Sequence, residues 1–149
     1  MPKLRMRPAI CMPLALAACA SLPQPDREVA RIADAIHAGA GDFYAGLAAK
    51  TSPDCAYAAN AAGYAALGTQ AAELHSHLAA RRASAMLRRA GAALAAAIEG
   101  ARASHEAASA NIDDQFGLCL APGALALNTD ALARASAAIV STQDRAGGK

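Results

Sequence analysis

Metal binding and nucleophilic catalysis are the chemistries this chain of 149 residues invites first. It carries four histidines, His37, His75, His77 and His105, and four cysteines, Cys11, Cys19, Cys55 and Cys119. Glu73 and His77 are spaced so that two ligands would share one helix face. His75 and His77 point in different directions on a helix, and no other cluster completes a site. The histidines therefore read as exposed or cap-satisfying side chains, and no metal or other cofactor is expected. Asn111, Asp113 and Asp114 lack the spacing of a calcium loop. No GxSxG, phosphate-binding glycine loop or HExxH occurs. Tyr57 and Tyr64 read as packing rather than a ligand box. The chain is not expected to be an enzyme.

Cys19 has a different context. It closes Leu16-Ala17-Ala18-Cys19, at the end of an apolar run that follows Lys3, Arg5 and Arg7. A basic start, an apolar middle and small residues before a cleavage point make a secretory signal peptide. Leu-Ala-Ala-Cys resembles the lipobox of bacterial lipoproteins. The resemblance implies that the Cys19 thiol is diacylated, that the peptide is cut before it, and that the new amine is open to acylation. Ala20, rather than aspartate, follows Cys19; by resemblance to sorted lipoproteins this implies the periplasmic face of the outer membrane. Pro8 to Ala18 is far shorter than the roughly 20 apolar residues of a membrane span, and Pro13 interrupts it. Cys11 follows Pro8-Ala9-Ile10, a poor lipobox.

This reading divides the chain into a signal peptide (1–18), a lipid-anchored tether (19–25), a helical domain (26–143) and a disordered tail (144–149). Pro23 and Pro25 favour extended chain in the tether. Its short reach, about 20 Å, keeps the domain close to the bilayer.

Cleavage changes the charge. The whole chain has 14 Lys+Arg and 12 Asp+Glu, and three of the bases lie in 1–18. The mature balance is 11 − 12 = −1, so the basic precursor is no argument for nucleic acid. Aromatic residues that could stack bases are scarce. Alanine supplies about a third of the residues, far above ordinary usage, and it is the strongest helix former. The expected fold is all-α, an up-down-up-down four-helix bundle.

The first helix is predicted over 27–50, capped by Asp26, with Val29, Ile32, Ile36, Phe43 and Leu47 as its apolar stripe. Gly39, Gly41 and Gly46 weaken it, and mark either a close approach or a local break. Ser52, Pro53 and Asp54 predict the start of a second helix. Tyr57, Leu67, Tyr64, Ala71, Leu74 and Leu78 give it an a/d seam. The next stripe, Leu87, Leu94, Ile98 and Ala101, is out of phase with that seam. This places a turn near 80–84 with Ser84 capping the third helix; a turn at Ala90-Gly91 is the alternative. Pro122-Gly123 reads as a turn, and Thr129 as the cap of a fourth helix over 130–142.

With Cys11 removed and Cys19 lipidated, Cys55 and Cys119 remain, and two thiols in an exported domain suggest a disulfide. A four-helix bundle brings both to the membrane-distal end. One continuous helix over 53–110 would hold them roughly 85 Å apart. At the membrane-proximal end, Arg81, Arg82, Arg88 and Arg89 are positioned to meet anionic lipid head groups. At the distal end, Phe116, Leu118 and Leu120 are either an interaction surface or a plug for the open bundle.

The expected function is that of a membrane-anchored interaction module of the cell envelope with a protein partner. Its architecture resembles that of secretin pilotins. The alternative is a periplasmic bundle that binds a small ligand or a metal.

Overall fold

A computed structural model describes residues 26–110 and 118–147. The lipobox, the tether and Phe116 lie outside the described residues. Four helices follow in order: α1 (Arg27–Ala48), α2 (Tyr57–Ala80), α3 (Ala85–Ala110) and α4 (Pro122–Gly147). Each packs against two neighbours, α1 and α3 both lying between α2 and α4. Cross-helix contacts pair the start of α1 with the end of α2, and the start of α2 with the end of α3. The domain is therefore an antiparallel four-helix bundle, as its sequence pattern predicts.

Asp26 caps α1, its carboxylate accepting from the backbone N–H of Glu28 at 3.0 Å and of Val29 at 3.5 Å. Capping satisfies donors that the helix's own carbonyls do not reach. Val29, Ile32, Ile36 and Leu47 are buried, joined by Ala33, Ala40 and Tyr44. Phe43 is only half-buried. The three glycines cause no break in α1. The close approach falls instead at Gly63 of α2, where an added Cβ would lie 2.9 Å from Phe43 Cζ and nearer still to other ring atoms.

α2 begins later than its Ser52-Pro53 signal suggests. Residues 51–56 form turns, closed by Cys55 N–H to the Thr51 carbonyl at 3.1 Å and Ala56 N–H to the Pro53 carbonyl at 3.0 Å. The cap is not local. Ser109 Oγ, from α3, accepts from Tyr57 N–H at 2.8 Å. Beyond that point the predicted seam holds: Tyr64, Leu67, Ala71, Leu74 and Leu78 are buried.

The α2–α3 turn occupies the predicted 80–84 region. Ala83 N–H donates to the Leu78 carbonyl at 3.0 Å and Arg82 N–H to the Ala79 carbonyl at 3.1 Å. That is a Schellman stop, and Arg82, at φ 50°, takes the left-handed position usually held by glycine. Ser84 Oγ accepts from Leu87 N–H at 3.2 Å and starts α3. Ala90-Gly91, the alternative turn, lies within α3, where Gly91 is buried and an added Cβ would come 2.8 Å from Leu78.

α4 differs most from its expected span. It begins at Pro122, eight residues before Asp130, and runs to Gly147, so the tail expected from 144 is helical that far. Proline has no N–H to lose and a helix-ready φ, which suits the first helical position as well as it suits a turn. Leu125 N–H closes the first turn on the Ala121 carbonyl at 3.0 Å. Thr129 is mid-helix, its hydroxyl donating to the Leu125 carbonyl at 2.9 Å. Leu132 and Ile139 are fully buried, with Leu125 packed against the same core one heptad earlier.

Candidate functional site

The distal end of the bundle is built around Cys55 and Cys119, joined as a disulfide with Cα atoms 5.1 Å apart. Cys55 lies in the turn before α2 and Cys119 just before α4, so the bond ties the entries of two helices that lie diagonally across the bundle and do not pack on each other. α3 holds both sides of it. His105 is fully buried. Its Nε2 lies 2.8 Å from the Cys55 carbonyl and its Nδ1 lies 3.1 Å from the Tyr64 hydroxyl. A carbonyl only accepts, so Nε2 carries the proton and Nδ1 accepts from the tyrosine. One turn along, the Ser109 hydroxyl receives Tyr57 N–H and donates to the Leu118 carbonyl at 2.9 Å.

Burial pushes the His105 imidazole below its ordinary range, although the Cys55 carbonyl works the other way. Burial raises the Tyr64 phenol strongly. Both groups are therefore neutral at physiological pH. Tyr64 also stacks edge-on with Phe43, ring centroids 4.8 Å apart, and tilts against Tyr57 at 5.9 Å. At the rim, Arg102 donates to Glu99 at 2.6 Å, to Glu106 at 2.7 Å and to the Tyr57 hydroxyl at 3.2 Å. Glu99 is held below the usual carboxylate range by that guanidinium.

Next to the disulfide is an open cavity of about 400 Å³, lined by Leu47, Lys50, Thr51, Ser52, His105, Leu120 and Leu125 among others. A second, of about 420 Å³, lies between α2 and α3 beside Tyr64, Ala71, His75, Ile98 and Arg102. In the first, both imidazole nitrogens are engaged and the sulfurs are bonded to each other. The cysteines and His105 thus form a structural staple rather than a nucleophile beside a base.

The apolar residues of the distal connection separate. Leu120 is buried at 7% exposure, so it plugs the bundle and is not part of a free surface. Its side chain lines the open cavity beside the turn before α2. Leu118 is half-buried, and Phe116 falls outside the described residues.

At the opposite end Asp26 joins two helices. His77 Nε2 donates to its carboxylate at 2.9 Å, and Arg81 Nε lies 3.7 Å from the same oxygen. Burial would raise the Asp26 carboxyl, but hydrogen bonds from His77 and from the Glu28 and Val29 amides outweigh it and hold the group below its ordinary value. Glu73, the partner that spacing gives His77, faces Arg31 instead at 3.8 Å. Among the described residues no three or more His, Cys, Asp or Glu side chains gather as a metal site would require.

Arg81, Arg82, Arg88 and Arg89 are all exposed, around the α2–α3 turn. Through Arg81 the turn lies beside Asp26, where the chain enters α1. Met86, which sequence reasoning passed over, stands among them 60% exposed. No helix of the described residues is long and apolar enough to cross a membrane. No protein-family model, no curated protein and no solved structure matches this chain.

Proposed function

We propose that this chain is a lipid-anchored helical module of the bacterial cell envelope, held at the outer membrane through Cys19, which acts by binding another envelope protein. The observation that carries this reading is the Cys55–Cys119 disulfide in a domain that follows Leu16-Ala17-Ala18-Cys19. Disulfides persist in oxidising compartments such as the periplasm, and the lipobox resemblance leads there independently. The stapled, membrane-distal end is the part of such a domain most open to a partner, with Leu118 and Phe116 in the connection that the disulfide holds.

A second reading is favoured by the two cavities, each large enough for a small molecule. In it the bundle binds a periplasmic small ligand between its helices.

One preparation separates the two. The native protein is captured from detergent-solubilised envelope, and its intact mass and co-purifying species are read. Lipidation at Cys19 with a stoichiometric protein partner supports the first reading. A co-purifying small molecule and no protein supports the second. An unlipidated N-terminus overturns the anchor, and Cys19→Ser is expected to leave the precursor uncut.

A further inference from the structure

We propose that the α2–α3 turn is a docking tip for anionic lipid head groups, with Arg81, Arg82, Arg88 and Arg89 supplying the charge and Met86 the apolar side chain that enters the interface. The direction in which the tip faces rests on the anchor reading; its composition does not.

From Leu74 through Ile98 there is no acidic residue. Of the four arginines only Arg81 reaches a carboxylate among the described residues, Asp26 at 3.7 Å. Arg88 turns back to the Ala83 carbonyl, which keeps its charge at the turn. Arg82 holds the left-handed position of the Schellman stop at φ 50° and is exposed at the bend of the chain. Met86 and Arg89 are three residues apart on the first turns of α3, hence on one face. Exposed arginines close to an exposed apolar side chain are the composition that lies on a charged bilayer surface: guanidinium groups meet phosphates and the thioether enters the acyl boundary. Nucleic acid would be held by the same charges, but the tip offers no aromatic side chain for a base. Asp26 fixes the tip beside the start of α1, so anchor and tip would meet the same leaflet.

The test uses the full chain as bacteria produce it, in nanodiscs of phosphatidylcholine alone or with phosphatidylglycerol added. Amide hydrogen exchange is read across 81–89. The expected result is slower exchange on the anionic discs only. The protection should disappear when salt is raised from about 0.1 M to about 0.5 M, as surface charge is screened. It should also disappear in the triple variant Arg82→Gln, Arg88→Gln, Arg89→Gln, and weaken in Met86→Ser. An unchanged thermal midpoint shows that the variants are folded. Equal exchange on the two discs overturns the proposal, as does anionic protection that survives the triple variant. So does release of a protein partner by the triple variant with no lipid effect, which would make the tip a protein-binding site.

If intact mass shows Cys19 unmodified, the anchor reading fails and the tip is read separately. The same chain is then sedimented with anionic vesicles, where each arginine removed should lower partitioning about fivefold. No difference between the wild-type chain and the triple variant overturns the tip in that setting too.

Discussion

His105 donates from Nε2 to the carbonyl of Cys55 at 2.8 Å, so a buried imidazole on α3 grips the backbone of a disulfide residue outside α3. That bond needs a proton on Nε2, and in the neutral ring it leaves Nδ1 free to accept from Tyr64. A second proton would make Nδ1 a donor where the neutral ring accepts from the Tyr64 hydroxyl, and burial opposes the added charge.

Stability should therefore fall with pH. The folded-state pKa of His105 is depressed below 6.5. As pH drops through the unfolded value the unfolded chain takes up a proton that the folded chain refuses. The contribution is fully present above about pH 7 and is lost from the unfolded pKa downward, at no more than about 1.4 kcal/mol per pH unit. Asp26, with its carboxyl held low, stays ionised through that window. Urea unfolding at pH 7, 6 and 5 should show the decline, and His105→Gln should flatten it, since glutamine can donate and accept without titrating.

Opening the disulfide should cost about 4 kcal/mol in chain entropy for a loop of this length; the two cysteines are 64 residues apart. Paired Cys55→Ser and Cys119→Ser substitutions are expected to lower the unfolding free energy by that amount while the helical circular-dichroism signal remains. A loss below about 1 kcal/mol would mean that His105 and Ser109 alone hold the end together.

Gly63→Ala should destabilise by about 1 kcal/mol, the crowding of the Phe43 ring outweighing alanine's better helix propensity. In a Phe43→Ala background the sign should reverse, because the ring is gone and only the propensity gain remains. A thermal-unfolding double-mutant cycle reads both.

Arg82→Gly should stabilise by about 1 kcal/mol, since glycine adopts the left-handed conformation at φ 50° without a Cβ clash. Denaturant midpoints at high salt, where charge repulsion within the turn is screened, give the cleanest comparison.

Local signals in the sequence led to local structure. Asp26 as a cap, the Tyr64–Leu78 seam and the phase slip before Leu87 each depend on residues within a few turns, and each places its element correctly. The disulfide was legible because topology, not spacing, brings its ends together. The misplaced starts have physical causes. Pro122-Gly123 fits a turn or a first helical turn equally well. The start of α2 is capped by a hydroxyl 52 residues away. The role of His105 was hidden for the same reason: its partners lie 41 and 50 residues off. An isolated histidine carries no local mark of whether it will be buried and satisfied. Met86 carried no sequence signal of its own; only the fold shows it uncovered near the arginines.

The Cys55–Cys119 bond also decides how the molecule carries mechanical load. Tension applied at the start of α1 and at the end of α4 travels along α1 to Cys55, crosses the sulfur bridge to Cys119 and leaves through α4. The α2–α3 hairpin lies on the bypassed loop and stays slack. A pull that peels α1 away would leave that hairpin covalently enclosed, ready to receive α1 again when the tension is released.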